Sequence, residues 1–436
     1  MRIGLISGEY PPMEGGVGDF TRELAQALAE AGHELHIITN REARPDQPDA
    51  PRPRPWRLRE PVDLGYALLH PRARRWRWGD VNTIAEIAER YALEILNIQY
   101  QAAAYNMRSA AINLAPWRLR GLAPVVVTFH DLRVPYLFPK AGPLRRLAVR
   151  FTARRASGVI TTNPADAERL VAELSDGDAP RPLAGAPPDA PSVLRLPAGP
   201  LLAEIPIGSN IAPRPADPAR ALLVRRRLRI APAAPLLAYF GFLNESKGAD
   251  TLVRALALLL EEDAHAARRA GEAHLVFVGA SVGGSDSANN SAFLHELRAL
   301  VEASGLQERV HWTGFLPERE VSDHLHAADL VVLPYRDGAS LRRGTLMAAL
   351  AHGRPTVSTR PPDAAPASPL VHGENIWLVP PQSTPELADA LRHLLAHPAL
   401  RARLAAGAAA LAPRFSWQRI AAETAAFYQR VRATSP

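Results

Sequence analysis

The chain has 436 residues, too many for one ordinary core and enough for two domains of about 200 each. Hydrophobic residues make up 47% of it and cysteine is absent, which suits globular cores and excludes disulfides, a thiol nucleophile and cysteine-ligated metal. Its 51 basic and 44 acidic residues leave a mild +7; no nucleic-acid motif accompanies the charge, and no apolar run approaches the roughly 20 residues that span a bilayer.

The opening MRIGLISGEYPP carries one basic residue and a short apolar run that stops at Gly8. It reads as a first strand over 3–7, not a signal peptide, and a cytoplasmic protein is expected. Apolar spacing through Leu24, Ala27, Leu28 and Ala31 predicts a helix over 20–31. Strands follow at 35–39, 95–98, 125–129 and 159–162, with a proline-rich loop at 45–61. Near-continuous apolar runs separated by helices imply a parallel sheet covered on both faces. Seven prolines between 180 and 200 and the loss of periodicity predict an irregular surface excursion. A fresh alternation then begins: strands at 236–240, 275–278, 310–312, 330–333 and 356–358, helices at 251–262, 293–303, 318–327 and 386–396. An amphipathic helix over 417–432 ends the pattern. The fold class is α/β, with two doubly wound domains in tandem facing a cleft, where ligands bind beyond the carboxyl ends of the strands.

Two features concern charge. Arg72, Arg74, Arg75 and Arg77 interleave with Trp76 and Trp78, Arg118 and Arg120 follow Trp117, and 144–156 reads as a basic amphipathic helix. Such a surface suits an anionic membrane or acidic acceptor; an ordinary solvated arginine-rich face is the other reading. The chain's lysines are only Lys140 and Lys247.

Four stretches carry candidate chemistry. Pro11-Pro12-Met13-Glu14-Gly15-Gly16-Val17-Gly18 joins the first strand to the first helix. Its glycines allow close backbone approach, and the helix they open favours an anion, although the spacing is not that of a dinucleotide fingerprint. Thr128-Phe129-His130-Asp131 puts a histidine at a strand's carboxyl end, where it can bond a sugar hydroxyl or a forming oxyanion, or else a backbone carbonyl. In Gly241-Phe242 through Lys247-Gly248, a lysine stands before a helix, adding full charge to the helix's partial one, which suits a diphosphate. Last, 331–358 (VVLPYRDGASLRRGTLMAALAHGRPTVS) reads strand, glycine loop, helix start at Gly344-Thr345, helix stop, strand.

These motifs, in this order over nearly the whole chain, resemble the family-4 retaining glycosyltransferases (glycosyltransferase group 1, GT-B fold). The resemblance implies an acceptor domain over 1–205, a donor-binding domain over 206–415 and a helix over 416–436 crossing back to the first. It implies that Gly15 and Gly16 meet acceptor and donor phosphates, that His130 contacts the donor sugar, and that Lys247 binds the pyrophosphate. The chain departs from the family twice. Phe242 stands where an arginine is usual, and the two motif glutamates are replaced by Ser340 and Ala348, with Arg342-Arg343 between them. Ser340 keeps a weaker hydrogen bond to the sugar; Ala348 offers the ribose none. Losing one such bond costs roughly 0.5–1.5 kcal/mol, and the family's front-face mechanism needs no carboxylate nucleophile.

The expected activity is hexosyl transfer with retention from a nucleotide sugar, used as co-substrate without a cofactor or metal, to a lipid, glycan or small-molecule acceptor. Lys247, Arg342 and Arg343 clamp the phosphates, and the enzyme works at the inner membrane face if the basic surface binds lipid. Two competitors stand beside this: a catalytically silent binding or regulatory protein, favoured by the missing acids, and a sugar-nucleotide epimerase, which needs acid/base carboxylates that the motifs do not supply.

Overall fold

The computed structural model describes residues 1–13, 15–43, 60–105, 110–132, 142–175, 181–182, 193–196, 199–265, 272–279, 287–361 and 368–435, with the side chains of 142–145, 262–265 and 287–288 left aside. Glu14, Lys140, nearly all of the loop at 45–61 and much of the proline-rich 180–200 stretch lie outside the described residues. The chain divides into two compact units, Met1–Ile207 with Trp417–Pro436, and Gly208–Ser416.

The first unit is a winding of strand and helix: β1 (Arg2–Ser7), α1 (Gly16–Glu30), β2 (Glu34–Asn40), β3 (Val62–Asp63), β4 (Leu68–Ala73), α2 (Trp78–Arg90) and β5 (Ile95–Tyr100). It continues through α3 (Ala111–Leu119), β6 (Val125–Phe129), α4 (Gly142–Arg155), β7 (Gly158–Thr161), α5 (Pro164–Leu174), β8 (Arg181–Pro182), β9 (Val193–Arg195) and β10 (Leu201–Glu204). The sheet order is β3-β4-β2-β1-β5-β6-β7-β10-β9-β8. Parallel pairing runs from β4 to β10, and β3, β8 and β9 add antiparallel edges.

The edges differ from expectation. The 180–200 stretch is not wholly irregular: residues 193–195 pair with β10 and extend the sheet. Pro182 is tolerated because it lies in β8, the strand at the edge, which needs to donate on one side only. Helices α2, α3 and α5 also went unread, α3 because Pro116 lies inside it. Trp76 is a correction of another kind. It is 2% exposed and packs edge-on against Tyr105, with ring centroids 4.7 Å apart, so it belongs to the core and not to a basic surface. Asp80 accepts from the backbone N–H groups of Arg74, Arg75 and Arg77, so that arginine run is a turn wrapped around a carboxylate.

Two apolar layers sandwich this sheet. Leu96 and Ile98 of β5 and Val127 of β6 face one layer; Ile3, Ile95 and Val126 face the other with Leu24 and Leu28 of α1. Each fully buried leucine contributes about 1.5–3 kcal/mol.

The second unit comprises α6 (Pro218–Arg227), β11 (Leu236–Phe240), α7 (Ala249–His265), β12 (His274–Val278), α8 (Ser287–Ala303), β13 (Val310–Trp312), α9 (Glu318–Ala327), β14 (Leu330–Leu333) and α10 (Gly344–Ala351). β15 (Thr356–Thr359), β16 (Trp377–Val379), α11 (Thr384–Ala396) and α12 (Pro398–Leu411) complete it. Its strands are all parallel, in the order β13-β12-β11-β14-β15-β16. That is the doubly wound Rossmann order, whose direction reverses between β11 and β14. Helix α13 (Trp417–Thr434) then packs on α1, giving Ile420, Phe427, Tyr428 and Val431 to the first unit's core.

Candidate functional site

In the second unit the loops leaving β11 and β14 meet at the reversal point, where a doubly wound sheet leaves a ligand crevice. Lys247 ends a short 3-10 turn, Glu245–Lys247, and Gly248 follows with φ +68. A Cβ on Gly248 would lie 2.0 Å from the Pro334 carbonyl oxygen, so only glycine at 248 lets the backbone after β14 pass directly against this turn. Lys247 Nζ and the Thr345 methyl both lie over Gly241: a Cβ there would sit 3.3 Å from the ammonium and 2.6 Å from Thr345 Cγ2. The lysine therefore stands beside the first turn of α10. Burial, and secondly the Arg343 guanidinium, hold its pKa down at about 8.

Phe242, in place of the usual arginine, is 42% exposed, and the ammonium lies 5.7 Å from its ring centroid. A weak cation–π contact thus replaces a second charge. Arg343 lies over Tyr335, 4.7 Å from the ring centroid, and bonds the Asp337 carboxylate. The Tyr335 hydroxyl meets Thr345 Oγ1 at 2.6 Å, and burial pushes its pKa up to about 12. Arg342 turns elsewhere: its backbone N–H and Nε donate to Ser340 Oγ at 3.4 and 3.3 Å. Lys247, Arg343, Gly344 and Thr345 are thus brought together, while Arg342 and Ser340 form a pair of their own. The N-cap residue of α10, Arg343, makes no side-chain cap bond to it. Ala348 is 0% exposed, so the second motif position is core.

Several contributors went unread in the sequence. Arg336 bonds both Glu245 and Asp250, and its backbone N–H donates to Ser246, fastening the two loops to each other. Asp337 partly offsets Arg343. Asn210, in the linker before α6, has its Oδ1 3.9 Å from where a Cβ on Gly344 would be. No local motif marks these residues; Arg336 and Asn210 act on partners far along the chain, and Asp337 on a side chain six positions on.

In the first unit, the reversal lies between β1 and β5. There the glycine loop holds an occupant from its own chain. Glu9 Oε1 accepts from the backbone N–H groups of Val17 (3.0 Å) and Gly18 (3.2 Å), at the first turn of α1. Gly15 is what makes room: a Cβ there would lie 2.0 Å from the same oxygen. Gly16 is exposed and faces open space. Burial raises the Glu9 pKa, outweighing the two N–H bonds that lower it. His130 sits just past β6 with its backbone N–H on the Tyr100 carbonyl (3.1 Å). Its ring lies edge-on to Phe20, centroids 4.6 Å apart, and Nε2 meets Gln99 Oε1 at 2.9 Å. Burial alone drives its pKa down to about 3, so the ring is neutral.

Each unit matches a family model: residues 15–182 the "Glycosyl transferase 4-like domain" and 234–397 the "Glycosyl transferases group 1". The chain is 31% identical over 225 residues to the D-inositol 3-phosphate glycosyltransferase of Xylanimonas cellulosilytica, a match covering 51% of this chain and 49% of that one. It thus spans about half the length of that relative. The same-named protein of Thermobispora bispora is 27% identical over 462 residues, covering 100% and 97%. Among solved structures, sucrose-phosphate synthase from Thermosynechococcus elongatus superposes with a TM-score of 0.71 at 21% identity, covering 100% of both chains. Anabaena HepE in complex with UDP and glucose gives 0.68 at 19%, covering 98% and 99%. With both halves matched and the fold shared end to end, the chain belongs to the group 1, family-4-like glycosyltransferases and has their GT-B architecture of two Rossmann-like domains.

Proposed function

We propose that this chain transfers a hexosyl group, with retention, from a nucleotide sugar to a hydroxyl acceptor. One observation carries the proposal: a desolvated lysine placed against the N-terminus of α10, whose N-cap residue makes no side-chain cap bond, at the reversal point of a doubly wound sheet. Charge, dipole and free N–H groups converge there as a diphosphate requires. The UDP held by HepE supports a nucleoside diphosphate as that ligand. In the transfer, the acceptor oxygen bonds the anomeric carbon on the face that the diphosphate leaves, and the acceptor proton passes to a leaving phosphate oxygen. Lys247 and Arg343 stabilise the negative charge that develops on that leaving group; the nucleotide sugar is a co-substrate, and no resident cofactor or metal is invoked. Sugar phosphates, glycans and lipids are the acceptor classes to test first.

Incubation with a panel of nucleotide sugars and acceptors, followed by NMR of the product's anomeric centre, tests this. A product of unchanged anomeric configuration supports it; an inverted one removes retention. A second reading, a binding protein without turnover, is favoured by the engagement of Ser340 with Arg342 and the burial of Ala348. Nucleoside diphosphate binding without transfer or hydrolysis on the whole panel identifies it.

We further propose that the first unit works against an anionic membrane, at the cytoplasmic face. Helices α3 and α4 pack together, contain no acidic residue, and expose Trp117 and Leu147, with Leu122 beside them. Arginine charge with apolar side chains between suits such lipid. Co-sedimentation with phosphatidylglycerol vesicles at low salt, lost at 1 M where screening reaches roughly 3 Å, is the expected result; no co-sedimentation at low salt overturns it.

A further inference from the structure

The interior of the first sheet contains a run of amides where apolar side chains are expected. Side chains alternate along a strand, so Asn97 and Gln99 of β5 share a face, as do Thr128 of β6 and His130 just beyond it. Gln99 lies opposite Thr128 in the parallel register. Asn97 and Gln99 are 0% exposed and Thr128 2%. An unpaired buried amide costs about 1–3 kcal/mol, and this group avoids that cost by bonding in series. Asn97 Nδ2 donates to Thr128 Oγ1 at 3.0 Å, Gln99 Nε2 donates to Asn97 Oδ1, and Gln99 Oε1 faces His130 Nε2 at 2.9 Å.

That series has a direction. With its NH2 committed to Asn97, Gln99 offers His130 only a carbonyl oxygen, which requires a proton on Nε2. A neutral imidazole with Nε2–H has a lone pair on Nδ1, and among the described residues no hydrogen bond to Nδ1 is formed. We infer that Gln99 is a positioning residue that fixes the tautomer of His130, so that Nδ1 receives a hydrogen bond from a sugar hydroxyl. A lone pair at that place disfavours a phosphate oxygen or an oxyanion, so His130 recognises sugar and leaves phosphate to other groups. The inference rests on the transfer reading above for its ligand, but the tautomer exists without turnover.

The test uses the full chain labelled with 15N-histidine, and the His130→Ala variant to assign the resonance. Long-range 1H–15N correlation should show Nε2 protonated and Nδ1 bare from about pH 6 to 8, the span in which an ordinary histidine titrates. An Nδ1–H tautomer or an imidazolium at pH 6 overturns the inference. Gln99→Glu places a carboxylate on Nε2 and should generate a doubly protonated ring below about pH 7. Gln99→Leu should let both tautomers coexist and lower kcat by about tenfold, less than the roughly hundredfold of a group that itself moves a proton or holds the oxyanion, because Gln99 acts through His130. A Gln99→Leu protein with unchanged tautomer would overturn the assignment even if kcat fell. If the wild-type tautomer is as stated but no nucleotide sugar is turned over, the transfer reading fails and the tautomer assignment stands.

Discussion

Helices α1 and α10 both begin behind a glycine-bearing loop at the carboxyl end of a parallel strand, and their N-termini carry opposite charges. At α1 the Glu9 carboxylate already bonds Val17 and Gly18. At α10 the N-cap residue, Arg343, makes no side-chain cap bond, and Lys247 stands beside the first turn. A helix N-terminus accepts an anion from any source. The first has one from its own chain; the second, on the function proposed above, takes one from outside. On that reading the same glycine frame makes a corner in one unit and a phosphate seat in the other, decided by a single side chain in the preceding loop.

The largest effect that tests this contrast is on stability. Gly15→Val should drive Glu9 off its two N–H groups and destabilise the first unit by about 2–3 kcal/mol, the cost of unpaired buried donors with some overpacking. Thermal unfolding should show it; an unchanged transition would mean that Glu9 does not hold the corner. Next, Lys247→Ala should weaken nucleoside diphosphate binding by about 1.5–3 kcal/mol, the range for a charge-assisted bond, by calorimetry. Equal affinity would remove Lys247 from the seat.

The third effect is on pH dependence. Because burial lowers the Lys247 pKa from 10.5 to about 8, the ligand-free protein holds that proton less firmly than the unfolded chain does. The penalty is fully present below pH 8 and fades between about 8 and 10.5. Lys247→Met should therefore raise Tm at pH 7 by a few degrees, as about 1 kcal/mol does in a unit of this size, with the advantage shrinking towards pH 10. Diphosphate affinity of the unmodified protein should fall above pH 8, by at most about tenfold per unit for one proton. The smallest effect concerns Asp337, which competes for Arg343. Asp337→Asn should strengthen diphosphate binding about two- to fivefold, within the worth of a half-exposed ion pair; weaker binding would show that Asp337 orients the guanidinium instead.

The alternation of apolar runs made the central strands of both sheets legible, because parallel strands buried on two faces read as apolar runs; β4, β10 and β16 were not read. The Lys247-Gly248 and Gly344-Thr345 segments were legible for a related reason: backbone approach and charge are local properties. What was hidden depended on distant partners. Glu9 lies in plain sequence ahead of the glycine loop, yet nothing local says that it folds back onto Val17. Asn97 and Gln99 are ordinary polar residues until β6 brings Thr128 and His130 alongside. The basic tryptophan run misled because Trp76 turns inward while Trp78 does not, and spacing alone does not separate the two. At Ser340 and Ala348 the altered motif was visible, but whether those positions were open, engaged or buried was not.

The chain leaves the first unit at Ile207 and re-enters it at Trp417, and that return shapes how the protein is made. During synthesis β1 and α1 emerge early, but the layer that covers them needs Ile420, Phe427, Tyr428 and Val431, all 0% exposed, from a helix that begins only at Trp417, after the whole second unit. Gly158 on β7 is kept bare for that helix: a Cβ there would lie 2.6 Å from Val431 Cγ2. The strands described for the second unit all precede that helix in the chain. The half begun first is thus completed last, and until then its apolar face lacks the residues that seal it.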